Sequence, residues 1–513
     1  MVRTSMVPML LVCCGLAAQA PATGEVKRLS LRDAIQTSLQ YNLQVDIAQQ
    51  TREVARANVT IGEGPFDWNL NASASASRLD SASSAPANRF ATASTEYLSV
   101  SRPRALTVDL NKNFVWGGNV DLNYSPTYGA YQTTVINGIT DINGNPIGNY
   151  ITNNPVPYTG SFTATYTQSL LQGFGTEVTT APLVIAKKNS EAADYNFQLA
   201  IINLVATTET QYWAVVYAQR NLQNYQIALQ LAQKQLNENN IRLQVGTMAP
   251  LDVTAAEAQV AQAEQNIISG QAALDNAKDA LIRALYPNAE RPAGLELTDA
   301  PTLGHIQTDE ATAVKMALDR RVELKAARIN KDVNDLQMAV ARNKVLPQLN
   351  AFVQYNGSAD TYGSFGPVNT DLTSANYPGY TVGVKFAVPI QNRAAKGGLS
   401  LARANLRSSE LNLRDQELSI TLQVRTAVRN IDATEKGVKA AEKTRYLQEK
   451  TLEAEQKKFE NGMSTNFNVL QDMTTLDAAR AAENPAQINY ANAVTALEQS
   501  VGNLMEARNF SIK

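Results

Sequence analysis

Hydrophobic positions recur along this chain with two different periods, and the places where the period changes divide it. Val253, Ala256, Val260, Ala263, Ile267, Gly270, Leu274, Ala277, Leu281 and Ala284 follow one another in alternating steps of three and four. That spacing is a heptad seam and predicts a long helix packed along a narrow stripe. The stretch before it has no proline from Leu183 to the bend Arg242–Asp252 (RLQVGTMAPLD). The two together read as a helical hairpin over about Glu177–Leu285. At about 1.5 Å per residue the outgoing arm reaches on the order of 100 Å, deeper than an ordinary globular core. Gly246 supplies the positive φ that stops one helix, and Pro250 fits the first turn of the next, where a missing N–H costs nothing.

The hairpin occurs twice. Gly246 and Gly462 stand 216 positions apart, as do Leu183 and Leu399, so the outgoing arm is copied without a gap. In the second copy Leu399, Leu406, Leu413, Ile420 and Ala427 recur every seven residues, and the bend reads KFENGMSTNFNVLQD. Val469–Met505 returns as helix, with a kink expected at Asn484-Pro485. The amphipathic helix expected over Leu29–Asn58 is likewise copied over Asp309–Lys344. Ala34, Leu39, Val45, Ala48 and Val54 match Ala313, Leu318, Leu324, Ala327 and Val333, each pair 279 apart. A repeat this long is the main organisational fact. It sets the expected boundaries: 1–22 a signal segment, 23–286 the first repeat, 287–308 a connector and 309–513 the second repeat.

After Pro65 and Pro347, which close the two amphipathic helices, the period falls to two. Trp68, Leu70, Ala72, Ala74 and Ala76 alternate with Asn69, Asn71, Ser73, Ser75 and Ser77. Leu106, Val108 and Leu110 do the same, as do Phe162, Ala164 and Tyr166, and Tyr380, Val382, Val384, Phe386 and Val388. These are strands with one apolar and one polar face. The polar faces are too wet for a sandwich interior. A barrel with lipid outside and water inside explains both faces, and a small soluble sheet is the alternative. Trp68, Tyr124, Tyr158 and Tyr380 suit an aromatic girdle. Tyr128–Pro157 and Gly357–Pro378 read as long exposed loops. Val115-Trp116-Gly117-Gly118 could turn a further hairpin, which leaves the strand number of the first repeat open. In the connector, Leu295-Glu296-Leu297 could form a short strand.

A formal charge of −2 over 513 residues gives no basic footprint for nucleic acid. The start, MVRTSMVPMLLVCCGLAAQAPA, joins Arg3 to an apolar run and to the small residues Ala18 and Ala20, the pattern of a secretory signal. Cleavage is expected after Ala20 or Ala22. Cys13 and Cys14 both fall inside the apolar run, where Val12 fits a lipidation site poorly. Beyond this segment no stretch approaches the ~20 apolar residues of a membrane-spanning helix. No G-x-x-x-x-G-K-[ST] loop, metal-ligand spacing or nucleophile–base pair occurs, so no enzyme activity, cofactor, metal or catalytic residue is expected. His305, the single histidine, reads as a solvated connector residue, and Tyr212, Trp213 and Tyr217 as interhelical packing.

The order helix, strands, long helix, glycine bend and return helix, made twice, resembles the TolC-like outer-membrane efflux proteins (outer membrane factors). LQVGTMAPLDV and FENGMSTNFNVLQD at the bends and QSLLQGFG (Gln168–Gly175) carry the likeness, which covers about Leu29–Asn509. It implies an α+β membrane protein: a homotrimer in which about four strands per protomer build one β-barrel in outer-membrane lipid, continued by a long α-helical coiled-coil barrel in the periplasm. It also implies passive export in a tripartite efflux or type I secretion system, with a periplasmic adaptor (membrane fusion) protein and an inner-membrane RND or ABC-type pump. By resemblance Val245, Gly246, Thr247, Met248, Asn461, Gly462, Met463 and Ser464 form the adaptor-docking tip, with an exposed Met in each bend, and Asp252, Asn468 and Gln471 the periplasmic gate. The simpler readings are helix C-caps for the glycines and a dipole-favoured helix start for Asp252. Amides at 468 and 471 depart from relatives with carboxylates there, and Ser464 stands where some carry a latching arginine, which argues against an ionic latch. The competing function is a structural coiled-coil protein of the envelope, which would explain the helices but not the two-faced strands.

Overall fold

The computed structural model describes residues 26–85, 95–140, 145–154, 158–287, 294–301, 304, 309–362, 364, 366–374 and 378–510. The expected signal segment, both cysteines and His305 lie outside them. In chain order the elements are β1 (Val26–Leu29), α1 (Leu31–Tyr41), α2 (Leu43–Glu63), β2 (Asn69–Ala76), β3 (Leu79–Ala85), β4 (Thr95–Asn113), β5 (Gly118–Thr140), β6 (Pro146–Asn154) and β7 (Tyr158–Ser169). There follow α3 (Thr176–Thr179), α4 (Ala181–Gln244), α5 (Pro250–Leu285), β8 (Gly294–Leu297), α6 (Glu310–Arg320), α7 (Val322–Lys344), β9 (Gln348–Thr361) and α8 (Gly366–Ser374). Last come β10 (Pro378–Ala387), α9 (Arg393–Glu460), α10 (Asn466–Val501) and α11 (Leu504–Ala507). The chain divides into two compact units, one of residues 1–50, 196–324 and 416–513, the other of 51–195 and 325–415.

In the first unit the heptad seam is the buried stripe. Of its positions, Val253, Ala256, Ala263, Gly270, Leu274, Leu281 and Ala284 are buried in α5. In α9 the buried set is Ile420, Val424, Ala427, Ile431, Val438, Leu452 and Phe459, again in steps of three, four or their sums. Gly270 is where the side chain of Tyr225 lies against the α5 backbone: a Cβ there would stand 2.8 Å from the ring. The first amphipathic helix starts two residues later than expected, at Leu31 after the Ser30 cap, because Leu29 belongs to β1. Ser30 accepts from the Asp33 N–H, and Asp309, 279 residues on, accepts from the Thr312 N–H. Both copies break at equivalent positions, Asn42 and Arg321. The connector strand forms: β8 pairs with β1 in parallel. Tyr212, fully buried, donates its hydroxyl to the Leu29 carbonyl and accepts from the Asp299 N–H, both at 3.1 Å. Burial pushes its phenol pKa up. Deeper still, Glu209 accepts from Arg508 at 2.6 and 3.0 Å and from the Thr495 hydroxyl at 2.5 Å. Helix α10 runs on through Pro485.

The second unit is built on one antiparallel sheet in the order β10-β9-β7-β5-β4-β2, with β3 added beside β4 and β6 beside β5. Six strands lie side by side in this sheet, and the strand number of the first repeat, left open by the sequence, is four in that path. The further hairpin comes from the Val115–Gly118 reversal, where the Phe114 N–H donates to the Gly118 carbonyl at 2.8 Å and Gly117 adopts φ +90°. The two expected long loops are corrected. Much of 128–157 continues as β5 and β6, and α8 lies within 357–378. Buried Val368 of α8 closes on Gly160, where a Cβ would stand 2.7 Å from its methyl group.

The period-two faces survive pairing. Leu70, Leu110, Leu122, Ala164, Tyr355 and Tyr380 make one cross-strand row, and Asn71, Asp109, Asn123, Thr163, Asn356 and Gly379 the adjacent row on the other face. On the apolar face Tyr380, Val382, Val384 and Phe386 are exposed. Tyr128 stacks on Tyr158 at 4.4 Å, and Phe114 on Trp116 at 4.5 Å. Lys112 Nζ stands 5.2 Å from the Trp68 ring centroid. Among the described residues no helix is long and apolar enough to cross a membrane.

Candidate functional site

The two bends are built alike. After α4 the Gly246 N–H donates to the Leu243 carbonyl at 3.0 Å and the Thr247 N–H to Arg242 at 2.9 Å. After α9 the Gly462 N–H donates to Phe459 at 3.1 Å and the Met463 N–H to Lys458 at 2.8 Å. Both are Schellman closures, and Gly246 and Gly462 take φ of +77° and +71°. Each returning helix then starts beyond an extended cap, Ala249 before Pro250 in one and Thr465 in the other. The simple C-cap reading of the glycines therefore holds.

Around these caps the residues expected at the tip part company. Val245, Gly246, Thr247, Asn461, Gly462 and Met463 are exposed, Val245 at 67% and Met463 at 71%. Met248 is a correction to the expectation of an exposed methionine in each bend. It is half-buried, because it packs on the cluster of Leu231, Leu452, Phe459, Val469 and Met473. Ser464 is half-buried too, its hydroxyl bonded to the Glu455 carboxylate, which also pairs with Lys458 at 2.9 Å. The Ser464 hydroxyl first, then Lys458, holds Glu455 below the usual carboxylate range. Two residues earlier Lys450 and Lys457 flank Glu453 and pull its pKa to about 2. Asn468 and Gln471 lie exposed on α10, and Asp252 is half-exposed in the first turn of α5. The Asn468 amide donates to Ser464 Oγ at 3.3 Å.

Two features escaped sequence reasoning. Leu251 and Phe467, also 216 apart, are 78% and 70% exposed at matched positions just after the bends. The repeat offset, applied to side chains after the bend, would have found them. The second is a buried amide cluster tying the hairpins together. Asn466 Oδ1 accepts from Asn239 Nδ2 at 2.9 Å and Gln235 Nε2 at 3.2 Å, while Asn466 Nδ2 donates to the Asp252 carbonyl at 3.2 Å. Asp252 thus enters the junction through its backbone. Beside it Arg242 covers the Phe459 ring at 4.1 Å and donates to its carbonyl at 3.3 Å. Gln235 and Asn239, four apart on the inner stripe of α4, were the available signal. Chemically, the site offers uncharged hydrogen bonds between hairpins and exposed apolar side chains on two equivalent bends.

A family profile described as "Outer membrane efflux protein" matches residues 146–285 and 313–503, more than half of the chain. The chain belongs to this family. Among curated relatives, the outer membrane protein TolC of Vibrio cholerae is 26% identical over 206 residues, 40% of this chain and 46% of its own length. The chain therefore spans less than half the length of that relative. Among solved structures, the outer membrane protein VceC of Vibrio cholerae covers 92% of this chain and 96% of its own at TM-score 0.62 and 15% identity. The CmeC outer membrane channel of Campylobacter jejuni covers 92% and 86% at TM-score 0.64 and 16% identity. These likenesses show a shared fold. Family membership places this protein in the outer membrane, and the family is one of channel proteins rather than of enzymes.

Proposed function

We propose that this efflux protein is the passive outer-membrane duct of a tripartite efflux or type I secretion system. In this reading three copies share one barrel, and the paired bends receive a periplasmic adaptor that couples the duct to an RND or ABC-type inner-membrane pump. The observation that carries it is the six-strand sheet, apolar along one face and polar along the other, with neither end strand paired on its far side among the described residues. Unpaired strand edges in lipid are prohibitively costly, so such a sheet needs further copies to close around water. The helices support the same reading. Leu418, Leu422, Tyr446 and Leu447 of α9 lie 52–63% exposed, a second apolar flank beside the buried seam.

For the tip we assign Val245, Gly246, Thr247, Met463 and Gly462, joined by Leu251 and Phe467, to adaptor contact, and Asp252, Asn468 and Gln471 to the closed end. Exposed apolar side chains on two equivalent bends fit helix-to-helix docking. The test is reconstitution of the detergent-purified protein: a trimer that conducts ions across a bilayer is expected. A monomer that needs no detergent and never conducts would return the coiled-coil scaffold reading. Val245→Asp with Met463→Asp should abolish efflux in cells while leaving the trimer intact; full efflux by that variant would remove the bends from the docking surface.

A further inference from the structure

We propose that the barrel is eighteen-stranded, each of three copies contributing six membrane-crossing strands, with β10 of one copy pairing to β2 of the next. This rests on the trimeric reading above and adds to it the number of strands, and so the width of the mouth. All six strands share one pair of faces. If β2 and β4 lay outside the barrel wall as a flap, Asn69, Asn71, Asp109 and Asn111 would face hydrocarbon, which is strongly unfavourable for polar and charged groups.

Length and interface anchors agree. A tilted crossing strand needs about 9–11 residues. The reversal at 114–117 feeds β5, which pairs with β7 without a break from Gly118↔Gln168 to Tyr128↔Tyr158. On β4 the basic residues that alternate with the apolar face are Arg102 and Arg104 toward one end and Lys112 at the other, Arg104 and Lys112 standing eight positions apart, or about 27 Å at about 3.4 Å per residue. Lys112 lies over the Trp68 and Phe114 rings at 5.2 and 5.8 Å, the posture of a cation at a lipid–water boundary. The added strand β4 therefore carries an anchor for each interface.

Direction also fits. Every neighbour in the path β10-β9-β7-β5-β4-β2 is antiparallel, so β2 and β10 run in opposite senses. A threefold rotation that brings β10 to the next β2 continues the antiparallel ladder without a parallel joint. With strands about 4.8 Å apart and tilted by about 40°, eighteen give a backbone diameter of about 36 Å, against about 24 Å for twelve.

The experiment combines disulfide mapping with native mass, on the full chain with Cys13 and Cys14 replaced by serine. Cysteine pairs join one position of β2 (Asn71 or Ser73) to one of β10 (Thr381, Gly383 or Lys385), and a parallel set joins the same β10 positions to Asn119 or Asn123 of β5. After oxidation in native membranes, at least one β2–β10 pair should give covalent dimers and trimers, and a top view by electron cryomicroscopy should show a ring near 36 Å. A trimeric mass with β10 linked to β5, or with no β2 link at any register and a ring near 24 Å, overturns the eighteen-strand barrel and leaves the trimer standing. A monomeric mass overturns both.

Discussion

Replacing Asn466 with alanine tests whether the amide cluster holds the periplasmic end shut. Asn466 is 4% exposed, and its side chain makes three hydrogen bonds: two accepted from Asn239 and Gln235, and one donated to the Asp252 carbonyl. Each is worth about 1 kcal/mol net. The loss is eased because Gln235 Nε2 still donates to Asn239 Oδ1 at 3.0 Å and Asn239 Nδ2 to the Asp252 carbonyl at 3.4 Å. A loss of about 2–3 kcal/mol per chain follows. Our hypothesis is that the hairpins separate at this junction when the duct opens, because the cluster is a buried polar link between them beside the bends. The closed-to-open ratio should then fall by about thirty- to a hundredfold per chain, since about 1.4 kcal/mol is tenfold. The measurements are open probability of single trimers in a bilayer and sensitivity of cells to a bulky antibiotic normally kept out. Gln262→Ala, which removes one exposed bond to Asn266 on α5, should change neither. If Asn466→Ala lowers thermal stability but leaves conductance and sensitivity unchanged, the cluster is only structural and the latch is wrong.

Arg508→Met should weaken the fold by about 3–5 kcal/mol by leaving Glu209 charged in a fully buried place. Thermal unfolding in detergent should register this, and Arg508→Met with Glu209→Gln should recover much of it; no recovery would deny the pairing. Burial raises the Glu498 carboxyl, with Arg508 opposing. Its contribution to stability is therefore present below the ordinary carboxylate range and lost as pH rises through the raised value. Glu498→Gln should accordingly unfold at a higher temperature than the parent at pH 7, the difference vanishing near pH 3; a gain that persists at acid pH contradicts the shift. Leu418→Glu with Leu422→Glu should abolish detergent-resistant trimers on gels while the isolated chain keeps its helical circular dichroism, and trimers that persist would leave that flank without a partner. Exposed amides at 468 and 471 hold divalent cations weakly, so millimolar Mg²⁺ should reduce bilayer conductance only slightly, and a strong block would point to a carboxylate ring such as Asp472 or Asp252.

Why the helices were legible and part of the sheet was not follows from where each writes its partner. A seam such as Val253, Ala256, Ala263 and Leu274 records burial within one continuous segment, so period alone places it, and a glycine forced to φ +77° marks where it must stop. A strand records only its two faces. That Leu110 lies beside Leu70 on one side and Leu122 on the other is set by turns, and the turn at Gly117 was one weak signal among several. The stretches beyond, in β3, β5 and β6, are rich in Ser, Thr, Asn and Gly, the composition of loops, so period alone does not mark them as strands. At the tip the division is the same. Gly246 and Gly462 follow from local backbone needs, whereas Met248 turns inward and Asn466 gains its partners only because the second hairpin packs against the first. Those contacts join residues 227 and 231 positions apart, a distance at which no period in one strand or helix carries information. The repeat does carry it. Asn239 and Glu455 are equivalent at the 216-residue offset, yet one bonds across to the other hairpin and the other stays within its own, pairing with Ser464 and Lys458. The duplicated hairpins have thus kept their backbone and divided their polar chemistry, and the cross-hairpin half of it, at Asn239, is where a substitution should be felt in opening rather than in folding alone.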